Sequence, residues 1–335
     1  MIDFRYHIVS LISVFLALAV GIALGAGPLK DTIGDTLTGQ VTALRTEKDT
    51  LRTSLDASTA KLADANAYVG AAAPILLTGA LAHRRVAVIA LGKLAEEDAV
   101  AIEGQLTAAG ASVAARITVA AAWTDPDLRS FRQALVGNLA DYLAPVPPPG
   151  AGPDTELAEA LVQGLTRSNP AAPDSRAEPA SILLDLLSSG DNPLITSAEP
   201  ITAPADSIVV VGPRVAPADP SATPRPSVSK DVTASWVALV RVAQDRSQGA
   251  VLADGPRLDG DLTSVILADR GLAGSLTTVS GTDVLSGRVS VPLALNARIG
   301  GMNGHYGFGG GETRFPMRLT LPLVTPTPRQ PEKTG

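Results

Sequence analysis

Three observations predict an α/β protein built in three parts. Residues 8–26 form an uncharged apolar run, a heptad repeat follows it, and strand signals alternate with helix signals over 84–300. Together they predict an N-terminal transmembrane helix, a coiled coil, and a Rossmann-like or flavodoxin-like parallel sheet with helices on both faces. Apolar residues make up 45% of the 335 but aromatics only 3%, so Ala, Val, Leu and Ile must build the core. The net charge is −6, and with so few aromatics and no basic run no nucleic-acid partner is expected. There is no cysteine, which removes disulfides, thiolate metal sites and thiol catalysis.

The run 8–26 would reach roughly 28 Å as a helix, about one hydrocarbon thickness. It exceeds the 7–15-residue apolar core of a cleaved signal, so the reading is an uncleaved, single-pass signal-anchor. The leader 1–7 carries Arg5 against Asp3, and Lys30, Asp31 and Asp35 follow on the far side. That weak bias places the N-terminus in the cytoplasm and the bulk of the chain outside. Ser13, Ala17, Gly21 and Gly25 recur every fourth residue, the small-residue ladder that lets two membrane helices approach closely. Glycine and alanine are also simply common in membrane helices, so the sequence that follows has to decide.

It carries heptads. One set is Leu37, Leu44, Leu51, Ser58 and Ala65; the other is Val41, Lys48, Leu55, Leu62 and Val69. The pattern predicts a coiled coil over 33–72, with Glu47 at g and the following Arg52 at e spaced as an interchain pair of a parallel dimer. Lys48 at a core position weakens the seam and disfavours larger bundles. The competing reading is a helix folded back on its own globular domain. The ladder and the heptads both ask for a parallel partner, so the expectation is a homodimer in the membrane.

Beyond "AAAP" at 71–74 the expected strands are 85–91, 112–119, 206–212, 249–255 and 275–281. Helices are expected at 94–110, 125–143, 155–167, 180–189, 232–247, 261–270 and 283–299, the last interrupted by Pro292. Pro-rich insertions fall at 144–154 and 215–231. Residues 301–335 read as a glycine-rich segment, a short extended stretch "RFPMRLTLPLV" that packs on an edge, and a disordered tail.

The fold invites a phosphate loop, but no GxGxxG or GxxxxGK[ST] follows the first strand, and no GxSxG elbow occurs. No enzyme and no cofactor are expected. Asp254, Gly255, Ser280, Gly281 and Asp283 stand at strand ends, where such sheets bind ligands. A turn-and-cap role is the stronger reading for them. "GGMNGHYGFGGG" at 300–311 has two readings of equal weight, a flexible surface loop or a close approach to a partner. Met302 and His305 are near enough in sequence to share a soft metal ion, though Cu(I) prefers a richer supply of thiolate and thioether.

The N-terminal "MIDFRYHIVSLISVFLALAVGIALGAG", the heptad helix after it and the late "NGHYGFGGG" together resemble the actinobacterial MctB family of copper transport proteins, across essentially the whole chain. The resemblance implies a cell-envelope protein with a part in copper efflux, copper homeostasis or channel formation; copper itself enters by this resemblance alone. The architecture is also similar to that of SteB-type cell-separation proteins. That likeness implies the alternative, a non-enzymatic coiled-coil scaffold engaging envelope or cell-division partners that control peptidoglycan hydrolases.

Overall fold

Runs of Val, Ile and Ala with no polar break become strands buried on both faces, as a covered parallel sheet requires. The computed structural model describes residues 4–25, 29–201, 203–213 and 229–322. Most of the Pro-rich insertion predicted at 215–231 and the tail predicted disordered after 322 lie outside the described residues. The chain divides into two units, Met1–Ala67 and Tyr68–Gly335.

The first unit holds helix α1 (Phe4–Gly25) and most of α2 (Leu29–Leu77). Phe4–Ala23 is long and apolar enough to cross a membrane. Along α2, hydroxyls of Thr42, Thr46, Thr50, Thr53, Ser58 and Thr59 donate to carbonyls four residues back, so these side chains satisfy themselves on the helix.

The second unit begins within α2, which runs through Pro74 to Leu77 instead of breaking at 71–74. Proline removes one helix hydrogen bond, while Ala73 and Leu77 on either side are buried in the core, and packing outweighs the loss. The unit continues with β1 (Arg85–Ala90), α3 (Glu96–Ala108), β2 (Ser112–Val119), α4 (Arg129–Leu139) and α5 (Pro153–Thr166). A small hairpin follows, β3 (Ser168–Asn169) and β4 (Ala172–Arg176), then α6 (Glu178–Ser188), β5 (Ile195–Ser197), β6 (Ser207–Val211) and α7 (Lys230–Arg246). The chain then forms β7 (Ala250–Ala253), α8 (Leu262–Ala268), α9 (Arg270–Ser275), β8 (Thr277–Val279), α10 (Leu285–Ile299) and β9 (His305–Tyr306). Helix α10 also runs through its proline, Pro292, with residues 289–297 all buried.

The main sheet has the order β5-β2-β1-β6-β7-β8-β9. Its five predicted strands, in chain order, lie 2-1-3-4-5, the flavodoxin-like doubly wound arrangement. Two short edge strands extend it. β5 pairs antiparallel with β2, and β9 pairs parallel with β8. Helices α4 to α9 pack on one face, around Trp123, Leu161 and Leu239. The last turns of α2, with α3 and α10, cover the other. The steps from β6 to β7 and β7 to β8 cross on the first face, but β8 to β9 crosses through α10 on the second. This last connection therefore has the opposite hand, which βαβ units rarely adopt.

Helix α5 is buried along its whole length from Leu157 to Leu165, including two polar side chains. Glu159 pairs with Arg246 at 2.8 Å and accepts from Gln163 at 2.8 Å. Gln163 in turn bonds the backbone of Ala144 and Pro145, fastening the first Pro-rich insertion to the core.

Candidate functional site

Doubly wound sheets bind ligands outside the carboxyl ends of their strands, and the sequence-predicted crevice residues meet at those ends of β7 and β8. β7 runs into Asp254, whose Oδ2 accepts from the Thr263 backbone (3.1 Å) and hydroxyl (2.9 Å), while Oδ1 accepts from Gly255 N (2.9 Å). Its carbonyl accepts from Thr282 N and Oγ1. Burial pushes the Asp254 carboxyl above its ordinary range, and the Thr263 hydroxyl partly offsets this. Gly212, just past β6, is there because a Cβ would stand 2.4 Å from Asp254 Oδ1. Gly281 N donates to Gly255 O at 2.7 Å; Asp283 is exposed, and its carbonyl accepts from Arg288. Asp254, Gly255, Gly281 and Asp283 thus hold turns and helix starts, while the Ser280 N–H continues the pairing of β8 with β9 by donating to Tyr306 O.

The crevice itself is filled by the glycine-rich segment, which is neither a free loop nor a phosphate cradle. After β9, Gly307 N donates to Thr313 O and Thr313 N to His305 O, closing a tight loop over the strand ends. Glu312 anchors that loop. Its side chain has no solvent exposure, and its Oε2 accepts from Ser280 Oγ at 2.9 Å and Gly309 N at 2.7 Å. Arg257 Nη1 lies 3.4 Å from Oε1. A Cβ on Gly307 would lie 2.1 Å from Ser280 Oγ, so the glycine is a packing requirement. Glu312 and Arg257 escape sequence reasoning because 55 residues separate them; the only local sign is a carboxylate directly after three glycines.

A second concavity of about 410 Å³ lies between the end of β2 and the start of α7. Trp123, Arg129, Arg132, Asp154 and Asp231 line it. Trp123 Nε1 donates to Ser235 Oγ, and Arg132 Nη1 donates to the Ala122 and Asp125 carbonyls. Arg129 faces Asp231 at 3.8 Å.

His305, one of the two predicted metal contacts, is half-buried on β9. Its Nδ1 is 2.9 Å from Thr278 Oγ1 and its Nε2 is 3.0 Å from Ala273 O. Desolvation holds the ring below its ordinary pKa of 6.5, so it is neutral at pH 7. Met302 lies three residues earlier, in the turn after α10, partly exposed, its N–H bonded to Ala297 O. Among the described residues no three His, Asp or Glu side chains converge on a common metal position.

The profile of the family described as "Copper transport outer membrane protein, MctB" matches residues 1–317. The chain belongs to the MctB family. Proteins named copper transporter MctB from Mycobacterium tuberculosis and Mycobacterium bovis are 28% identical to it over 326 residues, covering 93% of this chain and 98% of theirs. The Mycobacterium leprae protein of the same name is 26% identical over 334 residues.

In this MctB-family chain the heptad row of α2 is apolar and uncovered. Leu37, Val41, Leu44, Leu51, Leu55 and Leu62 are 41–65% exposed, and Lys48 is exposed among them. Val69, at the end of the same register, packs instead against the core of the second unit. On α1, Ser13, Ala17, Gly21 and Gly25 are exposed, and nothing lies within 4 Å of a Cβ built on either glycine.

Proposed function

We propose that this chain is a non-enzymatic protein of the cell envelope that serves copper homeostasis as a membrane-anchored, parallel homodimer. α1 spans the bilayer with its N-terminus in the cytoplasm, and the α/β unit works outside. The observation that carries the reading is the match to the MctB family over nearly the whole chain, joined to a leucine row that no part of the described chain covers. Burying that row between two copies removes apolar surface from water at roughly 25 cal/mol per Å². The ladder Ser13, Ala17, Gly21 and Gly25 brings the same two copies together in lipid.

Copper is the cargo in this proposal. For direct contact we propose Met302 and His305, a thioether and a neutral imidazole, both suited to Cu(I). Binding at His305 Nε2 requires release of the Ala273 carbonyl. Calorimetry of the full-length protein with Cu(I) should give saturable binding that Met302→Ala and His305→Ala weaken; no saturable binding rules out direct contact. The wider reading is tested in cells that lack the chain. They should accumulate copper, and the wild-type gene, but not the Leu44→Asp, Leu51→Asp variant, should restore the content. Unchanged copper content on deletion overturns the copper assignment.

A further inference from the structure

The cavity of about 410 Å³ beside Trp123 falls in the size range of small-molecule sites. Its walls come from the segment after β2, the first turns of α4 and α5, and the start of α7 after β6. β2 and β6 flank β1, so the cavity stands at the carboxyl ends of the strands, beside the reversal of strand order. Helix α4 gives it a charge from an inward position. Arg132 shares the buried side of α4 with Leu135 and Leu139, and it is only 8% exposed. Its Nη1 donates to Ala122 O at 2.9 Å and to Asp125 O at 2.6 Å. Among the described residues its Nε and Nη2 have no partner and no carboxylate pairs with it. The Asp125 carboxylate accepts instead from the Asp127 N–H. Asp154, in the first turn of α5, lines the same cavity. It is half-buried, and among the described residues its carboxylate has no hydrogen bond or ion pair. Arg129 and Asp231, by contrast, pair with each other at 3.8 Å and stay mostly in water.

We infer that this cavity binds a small zwitterion of the amino-acid class, its carboxylate on Arg132 and its ammonium on Asp154. Burying an ion without a counter-charge is costly, and the two carbonyls on Nη1 offset only part of that cost. The open Nε and Nη2 side of a guanidinium is a planar fork that fits a carboxylate with two parallel bonds. A simple anion would satisfy Arg132 but meet the uncompensated charge of Asp154. A simple cation would do the reverse. A ligand that carries both charges leaves neither side chain alone. Trp123 spends its Nε1 on Ser235, so its ring adds apolar lining suited to the carbons between the two charges. Fastening the turn at 121–125 accounts for Nη1 of Arg132. It does not account for the other two nitrogens, nor for Asp154 standing unpaired in the same cavity.

Titration of the full-length protein in detergent with glycine, β-alanine and 4-aminobutyrate tests this, near neutral pH and at fixed ionic strength. The two tryptophans of the chain report directly, since Trp123 lines the cavity and Trp236 follows Ser235, which lines it too. At least one of these amino acids, which differ in the distance between their charges, should give a saturable change in fluorescence and raise Tm. Acetate and methylammonium carry one charge each and should bind more weakly by about 10-fold or more, the effect of one lost charge-assisted contact. Asp154→Asn, a part-exposed change at a helix start, should leave the fold intact and weaken amino-acid binding by the same factor, with acetate unaffected. Arg132→Gln should abolish the response to both. The inference is overturned if none of the three amino acids gives a saturable change, or if Asp154→Asn binds them as wild type does. Acetate binding as tightly as the amino acids would overturn it as well.

Discussion

The leucine row of α2 and the glycine-rich segment at 300–313 are opposites. The row is legible from spacing alone, yet among the described residues its side chains are exposed. The glycine-rich segment has no period, yet it carries three side chains engaged by the fold: Tyr306 is buried, His305 uses both ring nitrogens, and the Glu312 side chain is sealed from solvent, while Met302 and Phe308 stay exposed. Local periodicity therefore marks an apolar surface without showing what covers it. Dense tertiary contact inside one fold leaves little trace in sequence, because its pairs sit 26 to 55 residues apart. In this chain the first region is the candidate for association and the second is a built-in closure.

Substitutions that treat the two regions alike should separate them. The largest effect is expected from Leu44→Asp with Leu51→Asp. Light scattering of the full-length protein in detergent should fall to one chain per micelle, while melting of the α/β unit stays within about 0.5 kcal/mol of wild type. A loss of α/β stability would mean that the row is a core surface after all. Gly307→Ala should act the other way. Its Cβ collides with Ser280 Oγ, so thermal unfolding should show a loss of about 1–3 kcal/mol, with no change in mass. Lys48→Leu sharpens the row by removing an ammonium from an apolar seam. It should strengthen association by about 1 kcal/mol and admit higher oligomers, read by sedimentation.

The smallest effect concerns His305. Because its folded pKa lies below 6.5, the unfolded chain binds the proton more readily. The stability this neutral ring contributes is full above pH 6.5 and is lost as the pH falls from there through the folded value. The advantage of wild type over His305→Gln in urea unfolding should therefore shrink on acidification below pH 6.5, and a constant difference would refute the assignment.

Much of the fold is legible because its strands are short apolar runs bounded by turns. The five predicted strands contain β1, β2, β6, β7 and β8, and their parallel order follows from the alternation with helices. The edge strands β5 and β9 are not legible. Three and two residues are too few to show a period, and β9 arrives by a crossover of the rarer hand. Pro74 and Pro292 mislead locally, since each sits in a helix held by core packing that propensity does not see. At the strand ends, Asp254 reads as a turn or cap residue from its place after a strand, and its carboxylate accepts from the Thr263 N–H in the first turn of α8, whose N-cap is Asp261. Glu312 carries no such cue; its partners Ser280 and Arg257 come from other crossovers, and only the closed sheet brings them together.

The central claim is that two copies meet in parallel along α2. The chain has no cysteine of its own, so single cysteines report without background. Leu37→Cys, Leu44→Cys, Leu51→Cys, Leu55→Cys and Leu62→Cys, each in the full-length protein in membranes, should form same-residue disulfides under mild oxidation, since a parallel in-register seam brings equivalent Cα atoms within bonding range of about 4.4–6.8 Å. Thr46→Cys and Thr53→Cys, off the seam, should stay monomeric. Crosslinking that ignores this pattern, or none at the seam positions, would contradict the paired helix and the scaffold built on it.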